Sequence, residues 1–186
     1  MKNKPEFRLR AYEKTDLDRA HRFFTDPEVR SLLMPGVVLP VSREEEAVFI
    51  ENSVNPKNKE AHYEFAVENA SGEYIGGCSY FDTRHKNRTC FVGIAIGDKS
   101  CWSKGYGTAV LRKLLEFLFL EKNMRKVLLN VFSFNKRAIA CYEKIGFKQE
   151  GCLREHIYRD GKYHDEYIMA LFADDFIKTQ KPQLKA

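Results

Sequence analysis

Long apolar runs are missing from this 186-residue sequence, and their absence bears on where the protein resides. No segment approaches the roughly 20 apolar residues that a membrane-spanning helix needs. The first residues, MKNKPEFRLRAY, also lack the apolar stretch that follows the basic residues of a secretory signal. We therefore expect a soluble, cytoplasmic protein that makes no contact with a membrane.

Cysteine and histidine are sparse, with five residues of each. The cysteines are Cys78, Cys90, Cys101, Cys141 and Cys152. They form no Cys-x-x-Cys pair, which favours free thiols in a reducing compartment over disulfides or a metal cluster. The histidines show no ligand spacing either, so the sequence predicts no metal site.

Blocks of like charge are absent as well. The 31 basic and 26 acidic side chains are mixed along the chain, and such mixing argues against an arm that binds nucleic acid directly. The net charge of +5 suits an anionic small ligand, but a solvated surface with a few more basic residues explains it equally well.

The hydrophobic periodicity that is present predicts one mixed α/β domain. Alternating or short apolar patterns predict strands over residues 7–12, 62–69, 74–82, 88–96, 126–132, 147–158 and 163–171. Helices are predicted after the capping pairs Thr15 with Asp18 and Ser42 with Glu45, at Asp26-Pro27, from Val110 to Phe119, and over 138–145. The order contains no internal repeat and no linker, so a second domain is not required.

A glycine-rich segment, CWSKGYGTAVL at residues 101–111, leads into a long predicted helix. Gly105 and Gly107 leave the backbone bare, so a ligand can approach the peptide N–H groups closely. The first turn of a helix has N–H groups without internal partners, and such a turn favours phosphate. The spacing fits neither a Walker loop nor a dinucleotide fingerprint. Because ordinary turns also need glycine, this segment alone does not identify a ligand.

A second motif, NKRAIACYEKIGF at residues 135–147, narrows the interpretation of the glycine-rich segment. Together they resemble the GCN5-related N-acetyltransferase (GNAT) superfamily. Its motif Arg/Gln-x-x-Gly-x-Gly/Ala is followed, one helix and one strand later, by Asn-x-x-Ala-x-x-x-Tyr-x-Lys-x-Gly-Phe. The matching positions of the second motif are Asn135, Ala138, Tyr142, Lys144, Gly146 and Phe147. The segment EGCLREHIYRDGKYHDEYIMALFADDF resembles the branch that contains Rim-type ribosomal-protein acetyltransferases and spermidine acetyltransferases.

The resemblance extends over residues 7–176 and implies a single GNAT N-acetyltransferase domain over residues 1–176. Its fold would be a mixed, mostly antiparallel central sheet flanked by helices. It implies an enzyme that moves an acetyl group from acetyl-CoA to a primary amine by direct attack in a ternary complex. The acceptor stays open between a protein N-terminus, a polyamine and an antibiotic amine, and a homodimer is one assembly that fits. A CoA-binding regulatory module without turnover is the alternative from another class. Residues 177–186 are predicted to form a loose tail.

The resemblance also implies roles for individual residues. Backbone N–H groups of the glycine-rich loop would hold the pyrophosphate of acetyl-CoA. The loop consists of Trp102, Ser103, Lys104, Gly105, Tyr106, Gly107 and Thr108. The strand before it, with Ile94, Ala95 and Ile96, would splay from the next strand and pair with the pantetheine arm. Asn135 and Ala138 would contact the cofactor arm, and Tyr142 would protonate the departing sulfur. Trp102 departs from the motif, which has Arg or Gln there.

A proton acceptor for the attacking amine is harder to assign. Relatives in this branch often place Glu two residues before the glycine of the strand, whereas this chain has Phe91 before Gly93, and a phenyl ring cannot accept a proton. Carboxylates from elsewhere are candidates, first Asp165 and Glu166 and then Glu143. We expect a route through water, because it requires no particular side chain beside the amine.

Several of these side chains also have ordinary structural explanations. Asn135 is a preferred helix cap, and a tyrosine on an amphipathic helix, such as Tyr142, is commonly part of a core. Cys90 and Cys141 are expected to be buried, inert thiols. Side chains expected to face solvent are Lys104, Lys136, Arg137, Glu44, Glu45, Glu46 and Glu51, although the four carboxylates could attract a polyamine.

Overall fold

The computed structural model describes residues 5–180, and within that range seven strands form one sheet. The strands are β1 (Phe7–Arg10), β2 (Tyr63–Asn69), β3 (Tyr74–Arg84), β4 (Thr89–Ile96), β5 (Lys126–Phe132), β6 (Lys148–Arg159) and β7 (Lys162–Phe172). The helices are α1 (Leu17–Phe24), α2 (Pro27–Ser31), α3 (Arg43–Val54), α4 (Tyr106–Glu116), α5 (Lys136–Ile145) and α6 (Ala173–Gln180). Short 3₁₀ turns at Lys14–Asp16 and Lys99–Cys101 and a π-helical turn at Phe117–Glu121 complete the chain. None of the helices within the described range is long and apolar enough to cross a bilayer.

The strand order in the sheet is β1-β2-β3-β4-β5-β7-β6. β4 and β5 run parallel, and the other neighbours run antiparallel. A parallel connection needs a crossover, and α4 provides it. The mixed, mostly antiparallel sheet flanked by helices is therefore confirmed.

Side chains alternate along the strands, so the sheet has two faces. On one, which we call the α4 face, Leu111 and Leu114 of α4 are buried in the main core together with Val127 of β5. On the opposite face, Ala20 of α1 and Ile50 of α3 form a smaller cluster. The candidate site lies where β4 and β5 part and leave an opening between these two faces.

The first capping pair differs from the prediction. The sequence favours Thr15 with Asp18, whereas the structure uses Glu13 with Asp16, whose carboxylate accepts the Glu13 N–H at 2.9 Å. The guanidinium of Arg10 holds the same carboxylate through two hydrogen bonds of 2.8 and 2.7 Å. This charged partner from β1 fixes which acidic side chain becomes the cap.

The predicted tail begins too early. α6 is helical through Gln180, so residues 177–180 are not loose, and residues 181–186 lie outside the described range. Phe176 is buried and its ring packs 5.3 Å from that of Phe119, between ring centres. α6 is therefore docked on the main core.

Candidate active site

β4 and β5 separate after three residue pairs. Their pairing joins residues 89–91 to residues 126–128, after which β4 continues along β3 and β5 along β7. The backbone of residues 94–96 therefore has no strand partner on its β5 side, and a free strand edge can pair with an extended ligand. A cavity of about 700 Å³ occupies the opening. The resemblance implied a splayed strand at Ile94, Ala95 and Ile96, and these residues lie beyond the last pair of β4 with β5.

The N-terminal turn of α4 lines this cavity. Gly105 is the N-cap, with a φ of 90° that favours glycine. A Cβ built on Gly107 would meet nothing nearer than the Cys141 Sγ at 3.9 Å, so the space beside this backbone is open. Of the predicted loop residues, Trp102, Ser103 and those from Gly105 to Thr108 line the cavity, whereas Lys104 is exposed outside it. The free N–H groups of this turn form a cradle that suits a phosphate.

Trp102 connects the loop to two other elements. Its indole Nε1–H donates a hydrogen bond of 2.6 Å to the carbonyl of Ile96, at the end of β4. The guanidinium carbon of Arg137 lies 3.6 Å from the centre of the indole ring, a cation–π contact. Arg137 is exposed as predicted, but it also lines the cavity. A positive group thus stands beside the loop although the motif's own Arg or Gln is replaced.

Asn135 and Ala138 form the start of α5. The Asn135 side-chain oxygen accepts a hydrogen bond from the Ala138 N–H at 3.2 Å, so Asn135 is the N-cap of the helix. Both residues line the cavity. The structural explanation therefore holds, and a contact with the cofactor arm stays a prediction.

Tyr142 lies on α5, buried on the α4 face, and lines the same cavity. Its ring packs 6.0 Å from that of Phe147, between ring centres. Burial raises the pKa of the Tyr142 hydroxyl well above its ordinary value. The hydroxyl is therefore protonated at neutral pH and able to donate.

The three candidate carboxylates lie in different surroundings. Phe91 stacks against Phe81, with 5.9 Å between ring centres, so no acid occupies that position. Glu166 is 8% exposed and lines the cavity, and its carboxylate lies 3.6 Å from His156 Nε2. Asp165 accepts the Glu155 N–H at 2.9 Å, and Glu143 is exposed on α5. Only Glu166 of the three belongs to the cavity.

Burial makes the thiols of Cys90 and Cys141, near the cavity, poor nucleophiles. Burial raises the pKa of Cys90 to about 12, which leaves the thiolate scarce. Cys141 lines the cavity, and burial also raises its pKa, while its Sγ contacts the Thr108 hydroxyl at 3.2 Å. These surroundings favour inert thiols over acyl-accepting nucleophiles.

One residue of the acidic helix α3 contradicts the expectation of a solvated face. Glu44, Glu45 and Glu51 are exposed as predicted, but Glu46 is buried. Its spacing of one helical turn from the buried Ile50 is the signal in the sequence that places it on the inward side.

A part of the site that the sequence did not reveal lies after α1. The cavity is lined on the face opposite α4 by four residues of α2 and the following loop, Val29, Leu32, Leu33 and Pro35. Arg159, at the end of β6, donates hydrogen bonds to the carbonyls of Ser31 at 2.8 Å, Met34 at 2.8 Å and Gly36 at 3.2 Å. This guanidinium holds the loop against the β6–β7 hairpin, and the loop forms a wall of the cavity on that side.

Comparison with known proteins agrees with this geometry. The family model described as an acetyltransferase (GNAT) domain matches residues 6–148. An uncharacterized N-acetyltransferase p20 of Bacillus licheniformis is 23% identical over 168 residues, which cover 90% of this chain and 93% of that protein. Spermidine N(1)-acetyltransferase of Vibrio cholerae is 26% identical over 173 residues, covering 93% and 96%. A crystal structure of spermidine N-acetyltransferase from Vibrio cholerae in complex with CoA and spermine superposes with a TM-score of 0.80 at 24% identity, covering 92% of this chain and 98% of that one. At this identity the superposition shows a shared fold.

Proposed function

Because the chain belongs to the GNAT acetyltransferase family, and is thereby an acetyl-CoA-dependent N-acetyltransferase, we propose that its acceptor is a small amine, cationic in solution, whose neutral form attacks the thioester in a ternary complex. The observation that carries the proposal is the cavity at the opening between β4 and β5. It joins the N-terminal turn of α4 on one face to a pocket lined by α2 and the following loop on the other. A cavity that reaches both faces allows the two substrates to enter from opposite sides and meet at the strand edge.

The residues present fit acetyl-CoA. The bare backbone beside Gly107 is open, and the phosphate-binding groups are the N–H groups of the α4 first turn. The free edge of residues 94–96 would hold the extended arm, and Arg137 adds a positive group beside the loop. When bound, acetyl-CoA supplies the acetyl group and leaves as the CoA thiol.

Tyr142 and a proton acceptor would complete the exchange. The ammonium first loses one proton to become the neutral amine, and the nitrogen loses a second proton as the C–N bond forms. The C–S bond then breaks, and the Tyr142 hydroxyl donates a proton to the departing sulfur. The raised pKa of Tyr142 keeps this proton in place until it is needed. Solvent then restores the proton of the tyrosine, so the residue ends the cycle unchanged.

The acceptor side of the cavity favours a small amine. Arg159 ties the loop after α2 to the β6–β7 hairpin, and a pocket with a wall fixed in this way admits a slender aliphatic amine more readily than the end of a folded protein. A relative 26% identical over 93% of the chain is a spermidine N(1)-acetyltransferase, which supports a polyamine. Protein N-termini and antibiotic amines are the competing acceptors.

Three finer features belong to the same proposal. A homodimer is supported by large apolar side chains exposed near α3, Val37, Leu39, Val48 and Phe49. A cytoplasmic location is supported by five free cysteines, of which Cys152 is exposed. Membership in the Rim-type branch is supported by the sequence of the final hairpin. Light scattering at several protein concentrations measures the first of these.

A panel of amines tests the acceptor class. The wild-type protein would be assayed for acetyl-CoA consumption with aliphatic polyamines, an aminoglycoside and peptides with free N-termini. We expect kcat/KM to be highest for the aliphatic polyamines. Turnover of only peptides or only the antibiotic would contradict this acceptor. CoA binding without turnover of any amine would identify a regulatory module instead.

A further inference from the structure

A second cavity of about 420 Å³ adjoins the first on the face opposite α4. It lies between α1, α3 and the middle of β3 and β4, and it shares Leu33 and the strand residues Gly93, Ile94 and Ala95 with the first cavity. The two cavities therefore adjoin along this strand segment.

Glu46 lines the second cavity and is 6% exposed. Within the part of the chain that the structure describes, its Oε1 atom has no hydrogen-bond partner. Burial raises the pKa of Glu46, and the positive groups that oppose this shift are His21 on α1 and Arg30 on α2. An unpartnered buried carboxylate oxygen is costly, so this atom is suited to a ligand that donates a hydrogen bond.

The charged side chains around the second cavity indicate whether its ligand is positively or negatively charged. Two more carboxylates line it, Glu45 and Glu64. Glu45 accepts the Ser42 N–H at 2.8 Å, and Glu64 lies 2.8 Å from His62 Nε2. Arg30 is the guanidinium on the same lining, and its own Nε is unpartnered among the described residues. Three carboxylates against one guanidinium make the cavity negative, which favours a cation.

We propose that the second cavity holds the distal ammonium of an acceptor with two amino groups, and that Glu46 is the residue that binds it. The inference rests on the proposed function and specifies its substrate as an aliphatic diamine or polyamine. With one ammonium at Glu46, the chain of the acceptor runs along Gly93 to Ala95, and the other amino group reaches the opening between β4 and β5.

Paired amines isolate this distal contact. A series of α,ω-diamines of increasing length would be compared with monoamines of the same carbon chains, for the wild type, Glu46→Gln and Glu44→Gln. Glutamine keeps the shape and is cheaper to bury than a carboxylate, so the variant should fold. For the best diamine we expect Glu46→Gln to raise KM about ten- to hundredfold, because a charged hydrogen bond is lost. The KM for the monoamine and kcat for both should not change, and Glu44→Gln, on the exposed side of α3, should match the wild type.

Arg30→Gln gives an independent measurement that does not rely on the folding of the Glu46 variant. Removing the opposing cation should lower KM for the diamine and leave the monoamine unaffected. An unchanged KM for the diamine in either folded variant would overturn the proposal. An equal loss of kcat on both amines in Glu46→Gln would overturn it as well, because Glu46 would then act as a proton acceptor. Failure of the proposed function is distinguishable, since the wild type would then acetylate neither amine.

Discussion

At the scale of single residues, Tyr142 occupies the motif position that the resemblance assigns to a proton donor, and burial raises the pKa of its hydroxyl. Tyr142→Phe removes the hydroxyl and preserves the ring packing against Phe147. We expect acetyl-CoA affinity by calorimetry to be retained and turnover of the best amine to fall about 10²-fold. Tyr158→Phe, at an exposed position of the final hairpin, should match the wild type. Undiminished turnover in Tyr142→Phe would show that water or another group protonates the sulfur.

The surroundings of two charged residues, Glu46 and Arg137, were not predicted correctly from the sequence. Glu46 follows Glu44 and Glu45 in the sequence, and an acidic run predicts a solvated surface. Helical spacing from Ile50 could have corrected this, because it is a local signal. Arg137 carries no such signal, since its contact with Trp102 arises only when α5 and the loop before α4 are brought together by the fold.

At the scale of elements, the N-terminal turn of α4 is the feature with the most direct test. Gly107→Val adds bulk where a Cβ meets nothing within the protein nearer than 3.9 Å, so it should fill the ligand space without disturbing the core. We expect CoA affinity by calorimetry to fall about tenfold or more, with an unchanged melting temperature. Gly105→Val is a poorer probe, because the φ of 90° adds strain at that position.

A matched control for the glycine test lies on β6. A Cβ on Gly151 makes ordinary contacts with Ile168 at 3.5 Å, so Gly151→Ala should bind CoA as the wild type does. Equal affinity of Gly107→Val and Gly151→Ala, both folded, would contradict a phosphate cradle at the start of α4.

Elements with local signals were predictable from the sequence, and elements that depend on docking were not. Strand β5 has the predicted bounds, 126–132, and the capping box of α3 forms as predicted, with Glu45 N–H donating to Ser42 Oγ at 3.0 Å. α6 has few apolar residues and was not predicted. Its helix is stabilised by Phe176 in the main core, a contact between distant parts of the chain.

At the scale of the whole molecule, the parting of β4 and β5 connects the two faces of the sheet. Tyr142 lies on the α4 face, where the motifs of the sequence are concentrated. Phe91 lines the same cavity from the other face, as does Glu166, which pairs across the strands with Phe132. The other side of the site comes from α2, the loop after it and the β6–β7 hairpin. These segments are far apart in the sequence and are brought into contact only by folding. The sequence motifs therefore named residues that line the α4 side of the cavity and did not reveal the α2 side.

The position of Glu166 favours a carboxylate over the water route that the sequence alone suggested. Its carboxylate belongs to the cavity and lies 3.6 Å from His156, whose side chain is 53% exposed, so a proton accepted there has a path to solvent. An aliphatic amine with a pKa of about 10 is mostly protonated at neutral pH and needs such a proton acceptor.

Substitution of Glu166 tests this role with a monoamine substrate, which avoids the distal contact at Glu46. We expect Glu166→Gln to lower kcat/KM about 10²-fold at neutral pH. The deficit should shrink as the pH rises toward the pKa of the amine, because the neutral amine then forms without help. Glu143→Gln, exposed on α5, should follow the wild-type profile. If the pH profile of kcat/KM for Glu166→Gln coincides with that of the wild type, water accepts the proton of the amine and Glu166 does not.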